Sequence, residues 1–283
     1  MSVRAAVVFA LCAAAAGSAR AAEVPLFVEF SDGFELIVPT AFRLGALQLR
    51  DPHVFVRVPL GPTTLCTDAT DLPSVGLNAQ IATSLAADEN ADGRLDSSAL
   101  LLFRPLLSDG RSAQTLSVAG DCSVATPTQC LAAANATPSL RSYRAFALSG
   151  SDHCLEALAG TTSNWGSAAA VPAPGGNCYA TTAADLVLDT GSLQIPLYDT
   201  AFGAPLPAPG GSTGGGLMRG FLRASDAALI PIPLNGTTVT LASVLPGGAG
   251  SCRANVSGGI DTWRGESGWW FYFEYRQDAV GLN

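Results

Sequence analysis

The stretch LFVEFSDGFELIV, Leu26–Val38, contains two short runs that alternate apolar and polar residues on either side of Asp32-Gly33. An Asp-Gly pair can adopt the positive φ angles of a tight hairpin turn, so the stretch predicts two antiparallel strands. Asn235-Gly236 and Thr190-Gly191 separate similar runs further along the chain. Repeated hairpins of this kind predict an all-β fold, which we expect to be an antiparallel β-sandwich-like arrangement.

Helix and loop signals complete this prediction. Helical periodicity is confined to short windows near Leu77–Ala87 and Asp152–Leu158, which predict minor helix. Two Pro/Gly-rich stretches, AVPAPGG around Pro174 and residues 203–216, predict long loops. The segment after the second loop is short for an independent core, so residues 22–283 are expected to form a single β-rich domain. A subdomain boundary within loop 203–216 is the alternative.

Residues 1–21 have the organisation of a secretory signal peptide: a basic residue, an apolar core and the small-residue site Ala19-Arg20-Ala21. The apolar core of about twelve residues is shorter than the roughly twenty needed to cross a bilayer, so cleavage is expected. We therefore expect the mature chain to be secreted, periplasmic or displayed at the cell surface, with no transmembrane segment after signal cleavage.

Charge limits the classes of partner. The chain carries a formal net charge of −8, and its 15 basic residues are all arginine. A negative protein is repelled by nucleic acid and by anionic membrane surfaces, so nucleic acid is not an expected partner and a cation is favoured. The exclusive use of arginine is typical of a GC-rich coding sequence and indicates a bacterial source.

Six cysteines follow the predicted leader, and an even number in an exported protein predicts disulfide bonds. The sequence leaves many pairings open. Proximity along the chain favours three pairs: Cys122–Cys130, Cys154–Cys178 and, from the two that are left, Cys66–Cys252. A metal cluster is disfavoured, because the chain has no CxxC pair and its only histidines are His53 and His153.

The segment DENADGRLD, residues 88–96, places oxygen-bearing side chains at positions 1, 3, 5 and 9 of a loop. Alternate residues of a tight turn direct their side chains towards a common centre, and a hard cation such as Ca²⁺ takes about six to eight oxygens. Gly93 at position 6 permits the reversal, and the carbonyl group of Arg94 is available at position 7. The spacing therefore predicts a calcium loop.

These nine residues resemble the EF-hand calcium loop. Position 12 is Ala99, where an EF-hand carries a bidentate glutamate, so a working EF-hand is not expected. The segment is more similar to the shortened DxDxDG loops of extracellular β-rich proteins, in which an aspartate near position 9 replaces that glutamate. The resemblance implies a weak, structural Ca²⁺ site with these ligands: Asp88, Asn90, Asp92, Asp96 and the carbonyl oxygen of Arg94. The alternative is a solvated acidic turn.

Signals of catalysis are sparse. The chain contains no HExxH helix. His53 lies in a predicted strand and His153 lies beside Cys154, so both are expected to be structural. The sequence therefore assigns no catalytic residue and leans against enzymatic activity. A secreted hydrolase with paired carboxylates stays an alternative, based on three acidic residues near a tryptophan-rich segment: Asp261, Glu266 and Glu274.

That segment, GWWFYFEYR over Gly268–Arg276, has strand alternation and so divides into two faces. One face is predicted to be core: Trp269, Phe271, Phe273 and Tyr275. The other face is expected to be ordinary sheet surface: Trp270, Tyr272, Glu274 and Arg276. Because tryptophan stacks on sugars, the alternative is a carbohydrate-binding module with Trp263 and Trp270 as the ligand platform.

These patterns together favour a secreted or cell-surface, non-enzymatic interaction or structural protein that carries a structural calcium loop. An adhesin or pilus-associated subunit is one concrete form of this hypothesis. The expected partner is a protein or glycan at the cell surface.

Overall fold

A computed structural model describes residues 29–31, 35–37, 39–108, 110–133, 136, 138–162, 170–189, 194–208, 211–234, 237–255 and 259–282. The predicted signal peptide, residues 1–21, lies outside them. Strands dominate the described residues and helices are few, which confirms the all-β class with minor helix. No helix in these ranges combines the length and apolar character that a membrane span requires.

Most of the described chain is strand. The strands are β1 Glu29–Ser31, β2 Glu35–Ile37, β3 Thr40–Asp51, β4 Phe55–Leu60, β5 Thr63–Asp68, β6 Ala99–Arg104, β7 Ser112–Cys122, β8 Gln129–Ala132, β9 Ser139–Ala147, β10 Asn177–Thr181, β11 Ala184–Asp189, β12 Gln194–Pro205, β13 Thr213–Arg223, β14 Pro231–Leu234, β15 Thr237–Thr240, β16 Asp261–Trp263 and β17 Glu266–Leu282. The helices are α1 Leu77–Ser84, α2 Ala224–Ala227 and α3 Leu241–Val244.

The main sheet is a closed barrel of eight antiparallel strands in the order β10-β9-β7-β6-β3-β17-β13-β12. Cys178–Ala180 of β10 pair with Gly203–Pro205 of β12, and this contact closes the ring. The antiparallel part of the prediction is confirmed, whereas the expected sandwich-like layering is replaced by a barrel. Hairpin signals report which neighbouring strands pair, but they carry no information on whether the first and last strands of a sheet meet.

Strand β17 supplies much of the barrel core. Its four predicted core aromatics are all buried: Trp269, Phe271, Phe273 and Tyr275. The opposite face is also covered, because Trp270 and Tyr272 pack with Phe221 and with Leu155 of the 150–162 loop. The expectation of a half-exposed surface on this face is therefore wrong at these two positions, since a loop distant in sequence lies over them.

Polar groups inside the barrel are paired with one another. The Tyr179 hydroxyl donates to Oε1 of Gln277 at 2.9 Å and lies 3.0 Å from the Tyr275 hydroxyl. Gln277 in turn donates through Nε2 to the carbonyl oxygen of Pro205 at 3.1 Å. Burial raises the pKa of both tyrosines. This network links β17 to β10 and β12, the two strands that close the ring.

Three disulfides form with the connectivity that proximity favoured: Cys66–Cys252, Cys122–Cys130 and Cys154–Cys178. The first joins β5 to the segment after α3, across a sequence separation of 186 residues. The second closes the short β7–β8 hairpin. The prediction of a disulfide-bonded fold is therefore confirmed.

The predicted hairpins also form. Strands β1 and β2, β14 and β15, and β11 and β12 pair antiparallel, and the residues that connect them, 32–34, 235–236 and 190–193, lie outside the described residues. The helix predicted near Leu77–Ala87 is confirmed as α1. The helix predicted at Asp152–Leu158 is wrong: this segment is irregular, and His153 forms a β-bridge with Gly175 instead. Strands β12 and β13 extend into the stretch 203–216, so the loop there is shorter than expected.

Candidate functional site

The acidic loop, residues 88–96, connects α1 to β6 and is organised by its own side chains. Asp88 accepts hydrogen bonds from the backbone amides of Asp92, at 3.0 Å, and Gly93, at 3.1 Å. Asp92 accepts from the amide of Arg94 at 2.8 Å. Positive φ angles of 56° at Ala91 and 80° at Gly93 give the tight reversal that the sequence predicted.

The loop places its predicted ligands on one short turn, but as acceptors for its own amides. Asn90 accepts from the Asp92 amide at 3.0 Å, and Asp96 accepts from the Glu89 amide at 2.7 Å. Within the described ranges, no group of three or more His, Cys, Asp or Glu side chains is arranged to hold a metal. A cation here would therefore need oxygens from Asn90 and from the Arg94 carbonyl group besides carboxylates. Calcium binding stays a prediction.

The acidic loop is tied to the hairpin that the Cys122–Cys130 disulfide closes. The Leu95 amide donates to the Cys122 carbonyl at 2.8 Å, and the Val124 amide donates to the Gly93 carbonyl at 2.9 Å. Arg94 forms an ion pair with Asp121 at 3.4 Å. The acidic loop is thus bonded to the end of β7 and to the start of the segment that the disulfide closes onto β7.

A second feature is the β4–β5 hairpin, whose exposure rises from its base to its tip. Val58 pairs with Leu65 and Leu60 pairs with Thr63, so these side chains share one face of the hairpin. Three aliphatic side chains on this face are exposed, with Val58 at 37 %, Leu60 at 65 % and Leu65 at 56 %. We call this set, Val58, Leu60 and Leu65, the apolar hairpin face.

The hairpin is fixed at its base. Cys66 of β5 is bonded to Cys252, and Nη2 of Arg57 donates to the carbonyl oxygen of Gly250 at 3.3 Å. Phe55 is buried, with the guanidinium carbon of Arg253 lying 5.1 Å from its ring centroid. The apolar hairpin face is therefore held in a defined position relative to the barrel.

His53 lies next to the hairpin base and is almost fully buried. Its Nδ1 is 2.5 Å from Oδ2 of Asp68, and the other oxygen of that carboxylate, Oδ1, accepts from the Thr70 amide. Burial lowers the pKa of His53, but the hydrogen bond and charge of Asp68, aided by Asp51, outweigh it and raise the pKa overall. No serine hydroxyl is hydrogen-bonded to His53 in the described chain, and the structural role of His53 stays a prediction.

The tryptophans of the proposed platform do come together, but in a packed cluster. The ring centroids of Trp263 and Trp270 are 6.3 Å apart, and Phe221 lies 5.4 Å from Trp263. Trp270 is 2 % exposed, while Trp263 is half-buried with the guanidinium group of Arg264 over its ring at 4.4 Å. Only Trp263 therefore presents part of a ring to solvent.

The three carboxylates of the hydrolase alternative have different surroundings. Glu274 forms an ion pair with Arg50 at 2.5 Å. It is distant from Asp261, because Asp261 pairs with Gly268, which lies roughly 20 Å from Glu274 along β17 at about 3.3 Å per residue. Burial raises the pKa of Asp261 to about 6, although the Trp270 amide bonds to its carboxylate. Glu266 is exposed beside the β16–β17 turn. Asp261 and Glu266 therefore lie on the same short β16–β17 hairpin, whereas Glu274 is far along β17 from both.

Comparisons with protein-family models, curated proteins and solved structures find no match. Function is therefore inferred from the geometry of this chain. The apolar hairpin face was not predicted from the sequence. A signal for it exists, because Val56, Val58 and Leu60 alternate with other residues and the turn pair Gly61-Pro62 follows them.

Proposed function

We propose that this chain is an exported, non-enzymatic interaction protein that binds a protein partner at the cell surface through the β4–β5 hairpin. The apolar hairpin face is the observation that carries the proposal. Val58, Leu60 and Leu65 are exposed together on one side of a hairpin, and burying such a cluster against a partner removes apolar surface from water. The barrel that carries the hairpin supports a scaffold role, since aromatic side chains occupy its interior.

A protein partner suits this surface better than a glycan. The exposed side chains are aliphatic, whereas sugar recognition favours exposed aromatic rings, and Trp270 is buried. Strands β4 and β5 pair only with each other among the described residues. Each therefore has an unpaired edge, whose backbone groups are available to a partner's strand.

Anchoring of the hairpin favours binding energetically. The Cys66–Cys252 disulfide and the Arg57 contact order the hairpin before a partner arrives. Less conformational entropy is then lost on association, so a small apolar surface can support useful affinity. Disulfides of this kind suit an oxidising compartment, which accords with the predicted signal peptide.

The test is saturation binding of fluorescently labelled mature protein to intact cells of the source organism. We expect the Leu60→Ser/Leu65→Ser double variant to bind at least about tenfold more weakly, because two buried aliphatic contacts are lost. Val187→Ser is the matched control, since Val187 is 58 % exposed on β11, outside the hairpin. Equal binding by the double variant and the wild type, or no saturable binding by the wild type, would refute the proposal.

A structural Ca²⁺ ion in the acidic loop is a second part of the proposed function. The loop is already bent, its carboxylates are accessible, and it is tied to the Cys122–Cys130 hairpin. When bound, the ion would neutralise the repulsion among the clustered carboxylates. The residues that would hold it are Asp88, Asn90, Asp92, Asp96 and the Arg94 carbonyl oxygen. A dissociation constant on the order of 10⁻⁴ to 10⁻³ M is typical of extracellular sites.

Calcium titration by calorimetry, with thermal melting in parallel, tests this part. At a calcium concentration ten times the dissociation constant, binding adds about 1.4 kcal/mol to the free energy of unfolding. Asp92→Asn should remove this stabilisation, because it takes one negative charge from the cation site. The variant keeps an oxygen that can accept from the Arg94 amide. Asp152→Ala, at an exposed site outside the loop, should leave it unchanged. Absence of any response of the wild type at millimolar calcium would reduce residues 88–96 to an acidic turn.

A further inference from the structure

A cavity of about 280 Å³ lies between β3 and α1, and the acidic loop and the residues after Cys122 complete its wall. Most of its lining is apolar, including Leu47 of β3, Leu85 after α1, Leu95 of the acidic loop, and Val124 and Pro127. This volume is far above the roughly 10–15 Å³ that a single water molecule requires. A small organic molecule therefore fits this space.

One charged group, the guanidinium of Arg43, lines the same cavity. Arg43 is only 7 % exposed. Its Nε donates to the Ser98 hydroxyl at 3.3 Å, and its Nη2 donates to the Leu85 carbonyl at 2.8 Å. The remaining nitrogen, Nη1, makes no hydrogen bond to any residue that the structure describes.

Arg43 also lacks a carboxylate partner. Asp278 pairs with Arg43 across the β3–β17 ladder, but its carboxylate is engaged by Arg276 at 2.9 and 3.0 Å. Arg43 forms no ion pair within the described chain. Burial lowers the pKa of Arg43, and the charge of Asp278 only partly offsets this. The nearby carboxylate of Asp278 is thus already hydrogen-bonded to Arg276, and an anion brought into the cavity would give Arg43 a direct partner.

We infer that this cavity binds a small organic anion, a monocarboxylate with a short apolar tail, whose carboxylate accepts a hydrogen bond from Nη1 of Arg43. The tail lies against the wall that Leu47, Leu85 and Leu95 form. The two bonds from Arg43 to Ser98 and Leu85 hold the guanidinium group in place, so little side-chain entropy is lost on binding. This site is separate from the β4–β5 hairpin.

The probe is hexanoate, titrated into the purified mature protein and followed by amide chemical shifts in ¹H–¹⁵N NMR spectra. Hexanamide has nearly the same shape but no charge, and it should bind at least about tenfold more weakly. Arg43→Gln should weaken the binding of hexanoate by a similar factor. Arg264→Gln is the control, because the Arg264 side chain is 72 % exposed and does not line the cavity. It should leave the affinity for hexanoate unchanged.

A second variant keeps the test decisive if Arg43→Gln does not fold. Ala82→Phe places a large ring at an exposed α1 position on the cavity wall and should block hexanoate without disturbing the core. The inference is supported by saturable hexanoate binding that is stronger than hexanamide binding and is weakened by Arg43→Gln. If Arg43→Gln does not fold, weakening by Ala82→Phe replaces the second condition. Equal binding of hexanoate and hexanamide, unchanged binding by Ala82→Phe, or no saturable binding of hexanoate would overturn it.

Discussion

Replacing Cys66 and Cys252 together by serine is expected to lower the free energy of unfolding by about 5 kcal/mol. The disulfide joins residues that are 186 positions apart, so it restricts the unfolded chain more than either of the other two bridges. It also joins the base of the β4–β5 hairpin to the segment after α3. Native stabilities are of the order of 5 to 15 kcal/mol, so this loss would be a large share of the total.

The Cys122–Cys130 pair is the matched comparison, because its sequence separation is only 8 residues. The loop-length dependence predicts a loss of about 2.5 kcal/mol when this pair is replaced by serine. Urea denaturation followed by tryptophan fluorescence measures both values. Equal destabilisation by the two double variants would show that the long-range bridge does not act through the unfolded chain as argued.

Phe103→Ala is the second large effect, with an expected loss of about 3 to 5 kcal/mol. The Phe103 side chain on β6 is fully buried in the barrel interior. Its ring lies edge-on to three others, with centroid distances of 5.8 Å to Phe42, 4.9 Å to Tyr143 and 4.8 Å to Tyr179. Truncation would leave a cavity inside the barrel, next to Phe42, Tyr143 and Tyr179. That cavity cannot collapse unless the strands of the closed sheet move.

Val187→Ala provides the control, since Val187 is exposed on β11 and should change the free energy of unfolding by no more than about 0.5 kcal/mol. Both variants are compared by urea denaturation at the same pH. If Phe103→Ala were as mild as the control, the aromatic cluster could not be the core that holds the barrel closed.

Local chemistry in the sequence predicted the local structure well. The strands on either side of Asn235-Gly236 pair as the hairpin signal predicted, and α1 forms where the sequence shows helical periodicity. Disulfide connectivity also followed from proximity, because the two short pairs leave Cys66 only Cys252 as a partner. These features depend on residues near one another in the chain, or on simple counting.

Features that depend on distant contacts were not predictable in the same way. Pairing of β10 with β12 closes the barrel, but no residue pattern in either strand specifies that partner. Burial of Trp270 results from a loop more than a hundred positions away in sequence, around Leu155. The cavity at Arg43 likewise combines a strand, a helix end and two loops, so its residues share no sequence motif.

The most direct test of the proposed interaction role is site-specific photo-crosslinking on intact cells of the source organism. A benzophenone amino acid is placed at position 60, on the apolar hairpin face, or at position 187, on β11. We predict a discrete crosslinked protein species from position 60, competed by excess unlabelled wild type, and none from position 187. Crosslinking of equal strength from both positions, or none from position 60, would contradict the assignment of the hairpin as the binding surface.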